Sequence, residues 1–390
     1  MKAISNGLVI LPDSRGDFQV RRNMAVLFDK EIKAVLPQNK LAAMKVDEVI
    51  DAAGCYVAPG FINIHVHGCN GADTMDEDMA ALQQIRDGQA AMGVTGFLPT
   101  TMTYDVPHIH RALERIRQAM AQTSGGAQVL GCHMEGPFIS ESHKGAQAAK
   151  DICQADFSVL EPYKDVVKIV TVAPEELPNG SFAAACHKNG IILSMGHTSA
   201  DYDTAMRAIE EQGIRHVTHF FNAMTGFHHR RPGVVGAALD TAVNCELIAD
   251  NVHSHPAAQR LVYRAKGGRN IILITDSMRA CGLADGLSEL GGLKVLVKGT
   301  VATLEDGTIA GSVLTMDRAI ANFAANTGAE LPAVVAMASQ LPAQELGLYG
   351  ERGSIEPGKR ADLVVFDDQV QIETVLSGGQ SIYQRPASIA

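Results

Sequence analysis

The sequence predicts a (β/α)8 barrel, the TIM-barrel class, joined to a small β-sandwich domain assembled from both ends of the chain. Two observations lead there. Eight apolar runs recur through the middle of the chain, each followed by a longer segment with helical spacing. The two ends lack that spacing and read as short strands between turns. At 390 residues the chain is long enough for a large barrel and an accessory module.

The N-terminal part, residues 1–57, contains "GLVI", "MAVLFD", "EIKAVLP" and "EVIDA", with no amphipathic helix of useful length. Its first apolar run is broken by Pro12 and Asp13, too early for a signal-peptide core or a membrane span. The barrel is expected over residues 58–346, from the runs "FINIHVHG", "VTGFLPTT", "VLGCHMEG", "VKIVTVAPE", "IILSMGHT", "HVTHFFNA", "CELIADNVH" and "IILITDSM". Near-continuous apolar strands alternating with helices indicate a parallel sheet covered on both faces. Eight of them fit a closed barrel, with an open doubly wound sheet as the alternative. Residues 347–390 return to the first texture, with "ADLVVFD" as a strand between Gly/Pro-rich turns, and complete the terminal domain.

Hydrophobic residues make up 46% and charged residues 19%, a compact rather than a disordered profile. A net charge of −10 argues against nucleic acid or an anionic membrane as partner. Seven scattered cysteines with no CxxC pair imply reduced thiols and a cytoplasmic protein, not a disulfide framework or a zinc–thiolate site.

The polar residues closing the runs carry the chemistry: His67, Thr100, Glu135, Glu175, His197, Asn222, His253 and Asp276. In a barrel the C-terminal strand ends converge on one mouth. On a strand, His65 and His67 point to the same side. With Glu135, His197 and His219 they form a ligand set suited to a borderline divalent ion, zinc first, with iron or cobalt as alternatives. Asp276 is the buried carboxylate placed to take a proton from water and pass it on. Taken singly, each has a structural reading: a bonded histidine, an ion-paired Glu135, an Asp276 that caps a helix. Their common position at one end of the strands favours the metal site. His108, His110, His187 and His216 are assigned to helical or flanking segments as structural residues.

The HxH on the first strand, the later single histidines and the aspartate after the eighth strand resemble the amidohydrolase superfamily. "PGFINIHVHG" and "GSIEPGKRADLVVFD" resemble its entry and exit signatures. "HMEGPF", "KGAQ", "MGHTSA", "THFFNAM", "HHRRPG", "IADNVHSHP", "LITDSM" and "IAGSVLTM" resemble its deacetylases of N-acetylhexosamine 6-phosphates. The resemblance implies metal-dependent deacetylation of N-acetyl-D-glucosamine 6-phosphate to acetate and D-glucosamine 6-phosphate. The galactosamine epimer as substrate and a non-catalytic sugar-phosphate-binding protein are the alternatives. It implies Glu135, His197 and His219 as the main metal ligands, with His65 and His67 the pair found in members with a second metal, so one or two ions per subunit. No lysine ends the fourth run, which disfavours branches bridged by a carboxylated lysine.

By the same resemblance Asp276 is the acid/base. Arg230 holds the phosphate from a neighbouring subunit of a homodimer, where a guanidinium fork suits a phosphate monoester. Read alone, "HHRR" is a solvated basic loop. His253 and the backbone of Asn222 and Ala223 are further phosphate contacts. Ala146 and Gln147 fall at the sugar or acetyl group, and Ile309, Ala310 and Gly311 on a substrate-lining loop. Three positions depart from the family pattern: Arg231 where Glu is usual, Asn251 where Gly is common, and Gln147 where some members carry His.

Overall fold

The computed structural model describes residues 1–178 and 180–386, so the last four residues of the expected 347–390 segment lie outside the described residues. Eight parallel strands build the barrel: β1 (Phe61–Val66), β2 (Val94–Thr101), β3 (Cys132–Glu135), β4 (Val167–Val172), β5 (Ile192–Met195), β6 (His216–Val217), β7 (Asn244–Ile248) and β8 (Ile271–Ile274). Each pairs with the next in chain order. The ring closes just past β8, where Val66 bridges Ser277. There His65 O accepts from Asp276 N at 3.0 Å and Ser277 O from His67 N at 2.9 Å. Closure therefore ties the first histidine pair to the loop carrying Asp276.

β1 shows why such strands read as unbroken apolar runs. Phe61, Ile62, Ile64 and Val66 are all fully buried, because helices cover the outer face and the barrel interior takes the inner one. The covering helix Val106–Met120 buries Ile109, Ala112, Leu113, Ile116 and Ala119, one stripe at helical spacing. Its N-terminus is capped by Asp105, which accepts from His108 N at 2.9 Å.

The chain ends share one sheet, in the order Gln380–Gln384, Ile372–Ser377, Leu363–Phe366, Tyr56–Pro59, Lys2–Pro12, Phe18–Phe28 and Ile32–Pro37, with Glu48–Asp51 alongside Lys2–Pro12. The junction of N- and C-terminal strands is antiparallel, Leu363 opposite Pro59 and Val365 opposite Val57. Ile4, Val9, Val26, Phe28, Ile32, Val57, Leu363 and Val365 pack there as a core of their own.

Two features differ from expectation. His216 lies on β6 itself, fully buried, rather than on a flanking segment, because β6 is only two residues long and begins right after the preceding loop. A three-stranded antiparallel sheet, Gly286–Leu290, Leu293–Lys298 and Val301–Thr303, follows β8 before the next helix. Its Leu290, Val295, Val297 and Ala302 pack with Met102, Met278 and Ala310 beside the barrel mouth. Among the described residues no helix is long and apolar enough to cross a membrane.

Candidate metal centre

The strand ends bring all five expected ligands and Asp276 together. Glu135, last residue of β3, lies at the middle. Its Oε1 is 3.0 Å from His219 Nε2, 3.3 Å from His197 Nε2 and 3.4 Å from His65 Nε2. Its Oε2 is 3.3 Å from His67 Nε2. Asp276 Oδ1 completes the group, 3.2 Å from His67 Nε2 and 3.4 Å from His65 Nε2. All six side chains are buried. Gly68 follows this cluster as extended backbone into a small hairpin with Ala72–Asp73, and a Cβ there would lie 2.1 Å from Ala72 O, so only glycine fits.

The backbone bends sharply to aim these groups. His197, His219 and Asp276 have φ of +48°, +29° and +49°, a left-handed conformation that non-glycine residues adopt at a cost of about 1–3 kcal/mol each. Such strain persists only where the surroundings hold it. Glu175 does so for the His197 loop: its carboxylate accepts from Thr198 Oγ1 at 2.5 Å and Ser199 Oγ at 2.9 Å.

Hydrogen bonds at the far side of three of the rings fix their Nδ1 protons, whereas His219 Nδ1 has no partner among the described residues. His65 Nδ1–H donates to Glu246 Oε2 at 2.8 Å, His67 Nδ1–H to Thr100 O at 3.2 Å, and His197 Nδ1–H to His143 O at 2.9 Å. The Nε2 atoms of these three rings then face carboxylate oxygens across the centre, placed to share a cation with them. His197 and His219 even bring their Nε2 atoms within 3.0 Å of each other. His65 Nε2 is buried with no hydrogen-bond partner among the described residues. Imidazole nitrogens and carboxylate oxygens converging on one point are held together by a cation among them, and this donor set fits a divalent metal. Glu135, His197 and His219 form one such triplet, and His65, His67 and Glu135 a second sharing the same carboxylate.

Electrostatics agree. Burial resists charge on Glu135, but the adjacent His197 and His65 outweigh it and hold its carboxyl well below the usual range. Burial likewise opposes charge on Asp276, and His65, again, with His67 lowers its pKa. Burial works against a proton on His67, yet hydrogen bonds to Asp276 and Glu135 raise its pKa well above that of free imidazole. A pair of carboxylates strong enough to draw a proton onto a buried ring also attracts a cation.

Beneath the ligands lies a polar layer that sequence reading missed. Glu246, on β7, is fully buried and holds His65 Nδ1, the His219 amide and His216 Nε2. His133, on β3, bonds Ile64 O and the Thr171 hydroxyl, and burial pushes its pKa down to about 3, so the ring is neutral. Thr171 in turn bonds Thr218 at 2.8 Å. A glutamate in the middle of "NCELI" was the available signal, since a charge inside a buried strand must find partners.

A cavity of about 320 Å³ opens onto the ligands. Ala146, Gln147, Asn222, Ala223, His253, Ile309 and Gly311 line it, with Met102, Leu290 and Thr308 not foreseen. Ala310 is fully buried and is not among the lining residues. Arg230 lies elsewhere: exposed, beside Arg231, it lines a separate cavity of about 560 Å³ with Tyr202 and Asp203. His253 is oriented by Asp250, whose Oδ2 is 2.6 Å from its Nδ1. Asn251 has φ +69°, a left-handed conformation that asparagine adopts more readily than most non-glycine residues.

A parallel barrel whose C-terminal mouth gathers imidazoles around a shared carboxylate, next to a buried aspartate, defines a metal-dependent hydrolase. The chain belongs to the amidohydrolase family, whose profile matches residues 56–382. It is 40% identical over 341 residues to N-acetylglucosamine-6-phosphate deacetylase of Bacillus subtilis, covering 85% of this chain and 86% of that one. It is 37% identical over 331 residues to N-acetylgalactosamine-6-phosphate deacetylase of Escherichia coli O157:H7, covering 83% and 87%. A mutant N-acetyl-D-glucosamine-6-phosphate deacetylase from Mycobacterium smegmatis, solved in complex with N-acetyl-D-glucosamine-6-phosphate, superposes with a TM-score of 0.88 at 28% identity, covering 98% of this chain and 99% of that one.

Proposed function

We propose that this protein hydrolyses the acetamide of N-acetyl-D-glucosamine 6-phosphate to acetate and D-glucosamine 6-phosphate, a step in amino-sugar breakdown. The observation that carries this reading is the set of inward-facing imidazole Nε2 atoms around Glu135, with Asp276 3.2 Å from His67, at the floor of a sugar-sized cavity. Relatives of that activity, one of them 40% identical over 85% of this chain, support the substrate class.

Glu135, His197 and His219 hold the first divalent ion, and His65 and His67 are available for a second. Zinc suits this imidazole–carboxylate set best. When bound, the metal supplies Lewis acidity that polarises the acetyl carbonyl and acidifies water. Asp276, ionised by its neighbours, takes the proton from the attacking water. It then returns that proton to the sugar nitrogen as the C–N bond breaks, because an amine leaves poorly unless protonated. His253 and the Asn222–Ala223 backbone sit in the same cavity, where they bind the phosphate. Arg230 completes the phosphate site from the partner in a homodimer, which accounts for its place outside the cavity of its own chain.

The second reading is the galactosamine epimer, favoured by the 37% identity to an enzyme of that name. Acetate release from both 6-phosphates and from unphosphorylated N-acetylglucosamine tests the assignment. Preference for the gluco 6-phosphate is expected. Preference for the galacto epimer moves the assignment to it, and equal turnover without phosphate refutes the phosphate site.

A further inference from the structure

Glu246 is a charge without an evident purpose on an inner strand of the barrel, 0% exposed. A buried carboxylate is tolerated only when its lone pairs are filled. Oε2 accepts from His65 Nδ1–H at 2.8 Å and from the His219 backbone N–H at 3.1 Å. Oε1 is 3.1 Å from His216 Nε2. Two of the three partners therefore belong to proposed metal ligands, one held by its ring and one by its backbone.

We propose that Glu246 is the positioning residue of the metal centre, keeping the His65 proton on Nδ1 so that the Nε2 lone pair faces the cation. By the same carboxylate it pins His219 in its left-handed conformation, φ +29°. Outer partners of this kind fix the tautomer and orientation of a ligating imidazole and raise its basicity. The brace continues outward: His216 Nδ1 lies 3.5 Å from Glu345 Oε1, and Glu345 also accepts from Asn244. Ligand, carboxylate, imidazole and second carboxylate form one buried chain.

His65, His133 and Glu246 also lie close enough together to be considered a cation site in their own right. The hydrogen bonds exclude that use. His133 spends Nδ1 on Ile64 O at 3.0 Å and Nε2 on Thr171 Oγ1 at 2.7 Å, and His65 Nδ1 already serves Glu246. No ring nitrogen of this triplet is left to face an ion between them.

This inference rests on the metal-centre reading above. The test is cobalt(II) binding to metal-stripped full-length protein, followed by visible absorbance and calorimetry, in wild type and Glu246→Gln. Glutamine keeps the volume but loses the charge. The variant is expected to bind cobalt about 10–100-fold more weakly at the site containing His65, with changed d–d bands and an unchanged near-UV circular dichroism spectrum. Equal affinity and identical bands in the two proteins overturn the role of Glu246. Failure of the wild type to bind cobalt overturns the metal centre instead. Two-bond 1H–15N spectra of wild-type histidines give an answer independent of the variant's folding: a proton on His65 Nδ1 supports the proposal, and one on Nε2 overturns it.

Discussion

Gln147 donates from Nε2 to Glu135 Oε2 at 2.6 Å while its own Oε1 accepts the Thr103 amide at 2.7 Å. Both ends of the side chain are engaged, so a residue on the cavity wall is also a strut behind the central carboxylate. Gln147→Ala is expected to lower kcat about 10-fold and to reduce the metal retained after dialysis, because Glu135 loses the donor that fixes its plane. Steady-state kinetics with metal analysis checks this. A rise in KM alone, with full metal content, would assign Gln147 to the sugar instead.

Asp276 is held by its φ of +49° and by the His65–Asp276 backbone bond, so an isosteric change should leave the cavity intact. Asp276→Asn is expected to lower kcat about 10²–10⁴-fold, the usual contribution of a positioned acid/base. Calorimetric binding of substrate should change only a few-fold. Full turnover in this variant would remove Asp276 from the proton path.

Removing the metal should cost stability as well as activity. Without the metal, only protons on the surrounding imidazoles offset the charges of Glu135 and Asp276, and the Nε2 atoms of His197 and His219 stay crowded 3.0 Å apart. A ligand at 100 times its Kd stabilises the folded state by about 2.7 kcal/mol. Exhaustive chelation is therefore expected to abolish acetate release and lower Tm by several degrees, with both restored by zinc. An unchanged Tm and retained activity would refute the centre.

The terminal sheet is fastened to the barrel by a buried pair. Arg352 Nη1 lies 3.6 Å from Asp362 Oδ2, and Arg352 Nη2 donates to Gln128 Oε1 at 2.7 Å beside β2. Asp362 Oδ1 also accepts from Arg360 Nε and Gly378 N. Arg352→Ala strands a buried carboxylate with one cation fewer, and a loss of about 3–5 kcal/mol is expected. Denaturant unfolding measures it, and a loss below about 1 kcal/mol would mean that Arg360 alone suffices.

The parts of the site that could be read in advance are those whose chemistry breaks a local rule. Two histidines on one face of an apolar strand, or an aspartate ending "LITD", have little reason to exist without a partner. Glu246 breaks a rule too, but its partners come from two other points of the chain, His65 on the first strand and His216 with His219 at the sixth, and no sequence spacing links these to Glu246. The strand His216–Val217 is too short to carry a periodic signal, so His216 read as a flank. The sheet from Gly286 to Thr303 has alternating residues and glycine turns at Gly291–Gly292 and Gly299, yet a strict barrel rhythm leads one to expect only a helix there. Topology is legible because it repeats, whereas an insertion or a buried network occurs once.

Arg230 offers the sharpest test of assembly. It is exposed and lines a different cavity from His253, and in the proposed homodimer a phosphate held by both takes its arginine from the second copy. Arg230→Ala alone is expected to raise KM for the 6-phosphate substrate and leave kcat within a few-fold. Refolding equal amounts of Arg230→Ala and Asp276→Asn chains together then separates the two geometries. If the arginine crosses the interface, a mixed dimer holds one complete site, with Asp276 from the first chain and Arg230 from the second. Half the dimers are mixed and each has one working site of two, so about a quarter of wild-type activity at low substrate should return. If Arg230 serves its own chain, no mixed dimer holds a complete site, and the mixture stays at the average of the two parents.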